Sequence, residues 1–248
     1  MTCAPSALTV TTQRALGPVV CPYEHTGASW NSITLRRLER STTFPSLSVR
    51  AQSERLSRPH LNGRSERAVL DAFAADCAAI DDGQVLDIGC GVGRVTSHLH
   101  DRGLSVSRID LSSEMIAMAR LAHPHLKFEV ATMTALPRED GSLAATVLWY
   151  SIIHTPPAAL ADVWAELARV IAPAGEFLLG FQAGENDEVR RDNAYGSSRT
   201  MTWYRHRSED VVRGVQLAGF VVQTQIWRTA ELAHETTPQV LLTSKRRA

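Results

Sequence analysis

The stretch Val85-Leu86-Asp87-Ile88-Gly89-Cys90-Gly91-Val92-Gly93-Arg94 decides the fold of this 248-residue chain. Apolar residues lead into an acid, and three glycines follow at alternate positions. The apolar part reads as a buried strand, and Arg94 to His100 as the start of a helix. Glycines at such a junction let the backbone turn sharply and let a ligand press against bare main chain. The helix start then offers unpaired N–H groups. The segment is therefore expected to be a nucleoside-cofactor site, with a ligand-free glycine turn as the alternative. The dinucleotide fingerprint is G-x-G-x-x-G, whereas the pattern here is G-x-G-x-G with Asp87 two positions ahead. That acid disfavours a diphosphate and favours a ligand with a cationic end.

Outward from this turn, strands and helices alternate. Val69, Leu70, Phe73, Cys77 and Ile80 recur at helical spacing from Arg64, and Asp81-Asp82-Gly83 ends that helix. Strands are expected over 84–88, 104–109, 127–131, 144–150, 176–181, 220–228 and 239–245. Helices are expected over 94–101, from a Ser112 cap to 122, over 157–171, and from a Ser208 cap to Gly219. Such alternation implies an α/β fold, a doubly wound parallel sheet with helices on both faces. Its ligands lie beyond the C-terminal ends of the strands. The glycine loop, Asp110, Thr132 and Tyr150 all fall at such ends. Residues 183–207 break the alternation; they are polar, with Tyr195, Trp203, Tyr204 and His206 interspersed. They are expected to form an irregular lid or acceptor pocket suited to a flat, partly apolar molecule, or else a loop packed by its own aromatics.

Asp110 follows Asp87 by 23 residues and closes the second strand, where a carboxylate can accept both ribose hydroxyls of an adenosyl group. With V-L-D-I-G-C-G-V-G and I-D-L-S-S-E-M-I in this order, residues 64–248 resemble the class I S-adenosylmethionine-dependent methyltransferases, in particular an actinobacterial small-molecule type. The resemblance implies a Rossmann-like seven-stranded sheet with its last strand antiparallel, and S-adenosylmethionine as cofactor with S-adenosylhomocysteine as product. It implies cofactor contacts at Asp87, Gly89, Cys90, Gly91, Gly93 and Asp110, with Leu111 and Met115 flanking the adenine. Ala131-Thr132-Met133 stands where many members have Gly-Asp-Ala. Thr132 accepts through its hydroxyl, more weakly than an aspartate, and Met133 offers its backbone N–H. Plain helix packing for Met115 and loop capping for Thr132 are the alternatives. The string W-Y-S-I-I-H-T-P-P over 149–157 lines the space between donor and acceptor in this family. Tyr150 and Ser151 are placed beside the cofactor. His154, with Tyr150, is the catalytic candidate, because imidazole is best poised to take a proton near neutral pH; a structural histidine at the Pro156-Pro157 helix start is the alternative. No Tyr-Asp-x-x-Ala-x-x-Tyr helix precedes the core, a departure from the family pattern.

Formal net charge is zero, so nothing overall suggests nucleic acid or an anionic membrane. The balance is uneven: residues 1–63 carry 7 Lys/Arg against 3 Asp/Glu, and residues 64–248 carry 19 against 23. Residues 1–60 are rich in Ser, Thr, Arg and Pro and read as a poorly ordered segment, with an organellar transit peptide or a mis-assigned start as alternatives. Cys3, Cys21, Cys77 and Cys90 form no C-x-x-C, and no metal-ligand spacing occurs. A soluble, cytoplasmic protein acting on a small-molecule acceptor is expected, with monomer or homodimer left open. Two other readings stay open: a non-catalytic protein binding S-adenosylmethionine or its product, and an NAD(P)-dependent oxidoreductase.

Overall fold

A computed structural model describes residues 63–80, 83–192, 200–230 and 235–248, together with the backbone of residues 8–11. Asp81, Asp82, Tyr195, Cys3 and Cys21 lie outside the described residues, as does most of the 1–60 segment.

Helix α1 (Arg64–Ala78) buries Glu66, Leu70, Phe73, Ala74 and Cys77, a stripe at helical spacing. Strand β2 (Val85–Ile88) is buried throughout and runs into the glycine turn and α2 (Arg94–His100). Then follow β3 (Val106–Asp110), α3 (Ser113–Ala122), the two-residue β4 (Glu129–Val130) and β5 (Leu143–Trp149). Two 3-10 turns, Ile152–His154 and Pro157–Ala159, lead into α4 (Leu160–Val170). The chain continues through β6 (Ile171–Gln182), β7 (Asp187–Arg191), β8 (Met201–Arg205), α5 (Ser208–Leu217), β9 (Phe220–Arg228) and β10 (Gln239–Arg246).

Seven strands lie in the order β9-β10-β6-β5-β2-β3-β4. Neighbouring pairs from β6 to β4 are parallel, and β10 is antiparallel to both β6 and β9. This is the seven-stranded, doubly wound sheet with an antiparallel last strand. Successive residues face opposite sides of a strand. Val85, Val106 and Val147 therefore pack with Leu70, Phe73, Cys77, Val95 and Leu99 of α1 and α2. Leu86, Ile88, Ile109 and Leu148 pack on the other side with Val163, Trp164 and Leu167 of α4 and Val211 and Val215 of α5.

Three features differ from the sequence expectation. Strand β1 (Leu8–Thr11), within the segment read as poorly ordered, adds an eighth strand antiparallel to β9, with Leu8 opposite Arg228. Residues 183–207 contain a β-ribbon, β7 on β8, with Val189 opposite Trp203. Both strands of it are partly exposed on each face, so no apolar alternation marked them. Ser208 does not cap α5: Arg207 holds the cap position, and the buried Ser208 hydroxyl accepts from Gln225 Nε2 at 2.6 Å.

Candidate active site

The strand order reverses between β2 and β5: the chain leaves β2 for β3 and β4, then returns to β5 on the other side. A crevice opens beyond the strand ends at such a switch point. Its floor is tight. A Cβ on Gly89, at the end of β2, would lie 2.4 Å from the Cβ of Ser151, just past β5. Gly91 differs: its φ is +55, yet nothing lies within 4 Å of where its Cβ would stand. The middle glycine therefore presents bare main chain to open space.

The loop's N–H groups are largely occupied. Those of Gly89 and Cys90 both donate to the Ile109 carbonyl at 2.9 Å, and that of Gly93 donates to the Cys90 carbonyl at 2.9 Å. Gly91 N–H donates to Asp110 Oδ2 at 2.8 Å, while Asp110 Oδ1 accepts from Ser112 N–H at 2.8 Å. A diphosphate at such a turn requires free N–H groups, and these four are taken. Asp110 by contrast keeps capacity. A carboxylate has about four lone-pair sites, and the two N–H bonds use one on each oxygen. Two neighbouring hydroxyls fit what remains. Burial pushes the Asp110 pKa up, and the bonds from Ser112 and Gly91 pull against it. Leu111 beside it is exposed, and Met115, half-buried, belongs to none of the three core clusters.

Asp87 lies beneath the loop, almost wholly buried, and accepts from the Thr96 hydroxyl at 2.5 Å. Burial raises its pKa to about 7, against the opposing pull of the Thr96 bond and the Arg108 charge. Cys90 fills the loop as a small buried side chain; burial raises its thiol pKa. Thr132 and Met133 stand at the end of the short third strand of the βαβ series. The Thr132 hydroxyl accepts from Thr134 N–H at 3.3 Å and lies 3.0 Å from the Thr134 hydroxyl, closing a local turn. Met133 Sδ accepts from the Thr155 hydroxyl at 3.6 Å, and its side chain packs on the larger core.

At the far side of the crevice, Tyr150 adopts a left-handed φ of +56, uncommon for a bulky residue and found where surrounding contacts over-determine it. Its N–H donates to Gly180 O at 2.8 Å, its ring meets Trp149 edge-on at 5.6 Å, and its hydroxyl donates to Glu66 Oε1 at 2.9 Å. Glu66 also accepts from Arg228 Nη2 at 3.1 Å, and the buried Arg228 donates to both oxygens of Glu235. Burial and the Glu66 charge raise the Tyr150 pKa. At neutral pH its hydroxyl is a donor engaged with Glu66. Ser151 Oγ is buried without a hydrogen-bond partner at the crevice floor. His154 ends the first 3-10 turn, with Nδ1 3.5 Å from the Thr202 carbonyl oxygen of β8. The ring presents open surface yet has protein on most sides, as a cleft-lining group does. That crowding holds its pKa below the usual imidazole range, while the Thr202 carbonyl and the Asp110 charge oppose the shift.

Sequence reasoning missed Glu66 and Arg228, and read His206 only as one residue of an irregular lid. Glu66 carried a signal: it falls four residues before Leu70, on the apolar face of α1, where an acid needs a partner. Through it, the first turn of α1 reaches the crevice, so the chain ahead of β2 contacts the site even without the family's aromatic helix pattern.

Residues 85–175 match the family described as "Methyltransferase domain", and the seven-stranded sheet that carries them has the fold of solved methyltransferases. Among curated proteins, the demethylmenaquinone methyltransferase of Beutenbergia cavernae is 32% identical over 113 residues, 46% of this chain and 45% of that protein. This chain spans about half the length of such relatives. Among solved structures, an S-adenosylmethionine-dependent methyltransferase of Methanosarcina mazei superposes with a TM-score of 0.61 at 18% identity, covering 66% of this chain and 92% of that one. The 1,6-didemethyltoxoflavin N1-methyltransferase of Burkholderia thailandensis, with bound 1,6-didemethyltoxoflavin and S-adenosylhomocysteine, gives 0.58 at 14% identity, covering 90% and 94%. Among the described residues no helix is long and apolar enough to cross a membrane.

Proposed function

We propose that this chain transfers a methyl group from S-adenosylmethionine to a small-molecule acceptor lying between the crevice and the β7–β8 ribbon. The observation that carries the reading is the Asp110 carboxylate, held by two backbone N–H groups with a lone pair still available on each oxygen. Such a carboxylate suits a pair of ribose hydroxyls. The bare main chain at Gly91 suits the rest of the cofactor, and the buried, unpartnered Ser151 hydroxyl lies behind Gly89 in the same turn region. Leu111 and Met115 offer apolar surface for the adenine. The domain family and the small-molecule acceptor of the Burkholderia relative support the same reading.

When bound, S-adenosylmethionine supplies an activated methyl group on a sulfonium. The chain's own work is then mainly positioning and exclusion of water. Tyr150 and Trp149 form a fixed wall, locked by Glu66. His154, kept neutral by its surroundings, takes the proton that an O–H or N–H acceptor loses.

The test is to incubate the protein with S-adenosylmethionine and a panel of small phenols, quinols and N–H heteroaromatics, and to follow S-adenosylhomocysteine by chromatography. Acceptor-dependent product is expected, and His154→Ala should lower turnover by about 10²-fold or more, as for loss of a general base, with product affinity unchanged. Equal loss of affinity would make His154 structural.

A further inference from the structure

His206 and His154 clasp two segments from opposite sides. His206 follows β8, and its Nε2 lies 3.1 Å from the Ile152 carbonyl oxygen in the 3-10 turn. His154 ends that turn, and its Nδ1 faces the Thr202 carbonyl oxygen in β8 at 3.5 Å. A carbonyl only accepts, so the facing nitrogen must carry the hydrogen in each case. His206 is then the Nε2–H tautomer, with a bare Nδ1 that is buried without a partner. The longer His154 contact points to the Nδ1–H tautomer, with the Nε2 lone pair left free, whereas histidine in water favours the opposite form.

His206 is built to stay in place. It is fully buried, with Phe181 and Tyr204 rings at 6.3 and 6.5 Å. Its backbone N–H donates to Gln182 O at 2.9 Å, and its backbone carbonyl accepts from Gly184 N–H at 3.0 Å. The neighbouring Trp203 Nε1 donates to Gln182 Oε1 at 3.1 Å. The ribbon, the end of β6 and the turn are thus tied together at one buried ring.

We propose that His206 is a positioning residue: by holding Ile152, it presses the turn against β8 and sets His154 as the Nδ1–H tautomer with Nε2 as proton acceptor. This rests on the reading of His154 as the base.

The experiment is long-range 15N–1H correlation on the full chain labelled at its histidine nitrogens, with His154→Asn and His206→Gln spectra to assign the two rings. The wild-type spectrum should show Nδ1–H at His154 and Nε2–H at His206. In His206→Leu the His154 signal should move to the Nε2–H form. His206→Gln keeps an N–H donor for Ile152 and should restore the Nδ1–H form. Nε2–H at His154 in the wild type overturns the proposal, and so does an unchanged His154 tautomer in a folded leucine variant. If the leucine variant does not fold, the wild-type and glutamine spectra still decide. Titration of S-adenosylhomocysteine into the same samples separates the two readings: expected tautomers without binding contradict the methyltransferase reading and leave the clasp intact.

Discussion

On the glycine-loop side of the crevice, the side-chain contacts that shape the site join residues close in sequence: Asp110 to Ser112 across 2 positions, Thr96 to Asp87 across 9, Gly91 to Asp110 across 19. On the facing side they join residues far apart: His154 to Thr202 across 48, His206 to Ile152 across 54, Tyr150 to Glu66 across 84. The first side is mostly main chain arranged by glycines and one carboxylate. The second is made of side chains from separate elements that meet only after folding. A cofactor common to a whole family calls for the first kind of site. An acceptor particular to one chain calls for the second, which can change without disturbing the sheet.

The sharpest contrast within the loop side is between two glycines. Gly89→Ala places a methyl 2.4 Å from the Ser151 Cβ at a left-handed φ of +72. It should cost on the order of 3 kcal/mol of stability, from overpacking together with backbone strain. Gly91→Ala meets no atom within 4 Å, so only the strain remains, about 1–2 kcal/mol, together with a loss of affinity for S-adenosylhomocysteine. Urea denaturation and calorimetric titration of both variants check this. Equal destabilisation would show that the crevice floor is not packed as described.

Asp110→Ala should weaken S-adenosylhomocysteine binding by about 1–3 kcal/mol, as for a lost charged acceptor that also pins the loop. Unchanged affinity would remove Asp110 from the site. Across the crevice, Tyr150→Phe deletes one donor to Glu66 while Arg228 still holds that carboxylate. A stability loss of about 1.5–3 kcal/mol is expected, as for one hydrogen bond to a charged group, with product affinity preserved. A larger effect on binding than on stability would reverse the roles given to the two sides.

A pH dependence is also expected on the loop side. Asp87 has a folded pKa of about 7 against an ordinary 3.8, because burial disfavours its charge. Between those pH values the folded state holds more protons than the unfolded state. On this group's account stability therefore falls as pH rises from 4 to 7. Asp87→Asn should flatten that decline in thermal denaturation across the same range. An unaltered slope would mean that Asp87 is not the group responsible.

The same division sets what the sequence made legible. Glycine at a left-handed φ, an acid at a strand end and an apolar run between turns each have a local physical meaning, so the strand–helix alternation, the glycine turn and the place of Asp110 at a strand end could be read in advance. Thr132 and Met133 stand at the expected place; the Thr132 hydroxyl closes a turn with Thr134, and Met133 Sδ accepts from Thr155. The β7–β8 ribbon gave no periodic signal, because neither of its faces is buried. His206 looked like one aromatic among several in a polar stretch. Its meaning depends on Ile152, which only the packing of β8 on the turn brings near. Glu66 was readable as an acid on an apolar face, though its partners Tyr150 and Arg228 were not.

Calorimetric titration of the full chain with S-adenosylhomocysteine and, separately, with NAD⁺ tests the central claim most directly. The occupied loop N–H groups and the open lone pairs of Asp110 predict saturable one-site binding of S-adenosylhomocysteine and no binding of NAD⁺. A folded protein that binds NAD⁺, or fails to bind S-adenosylhomocysteine, would contradict it.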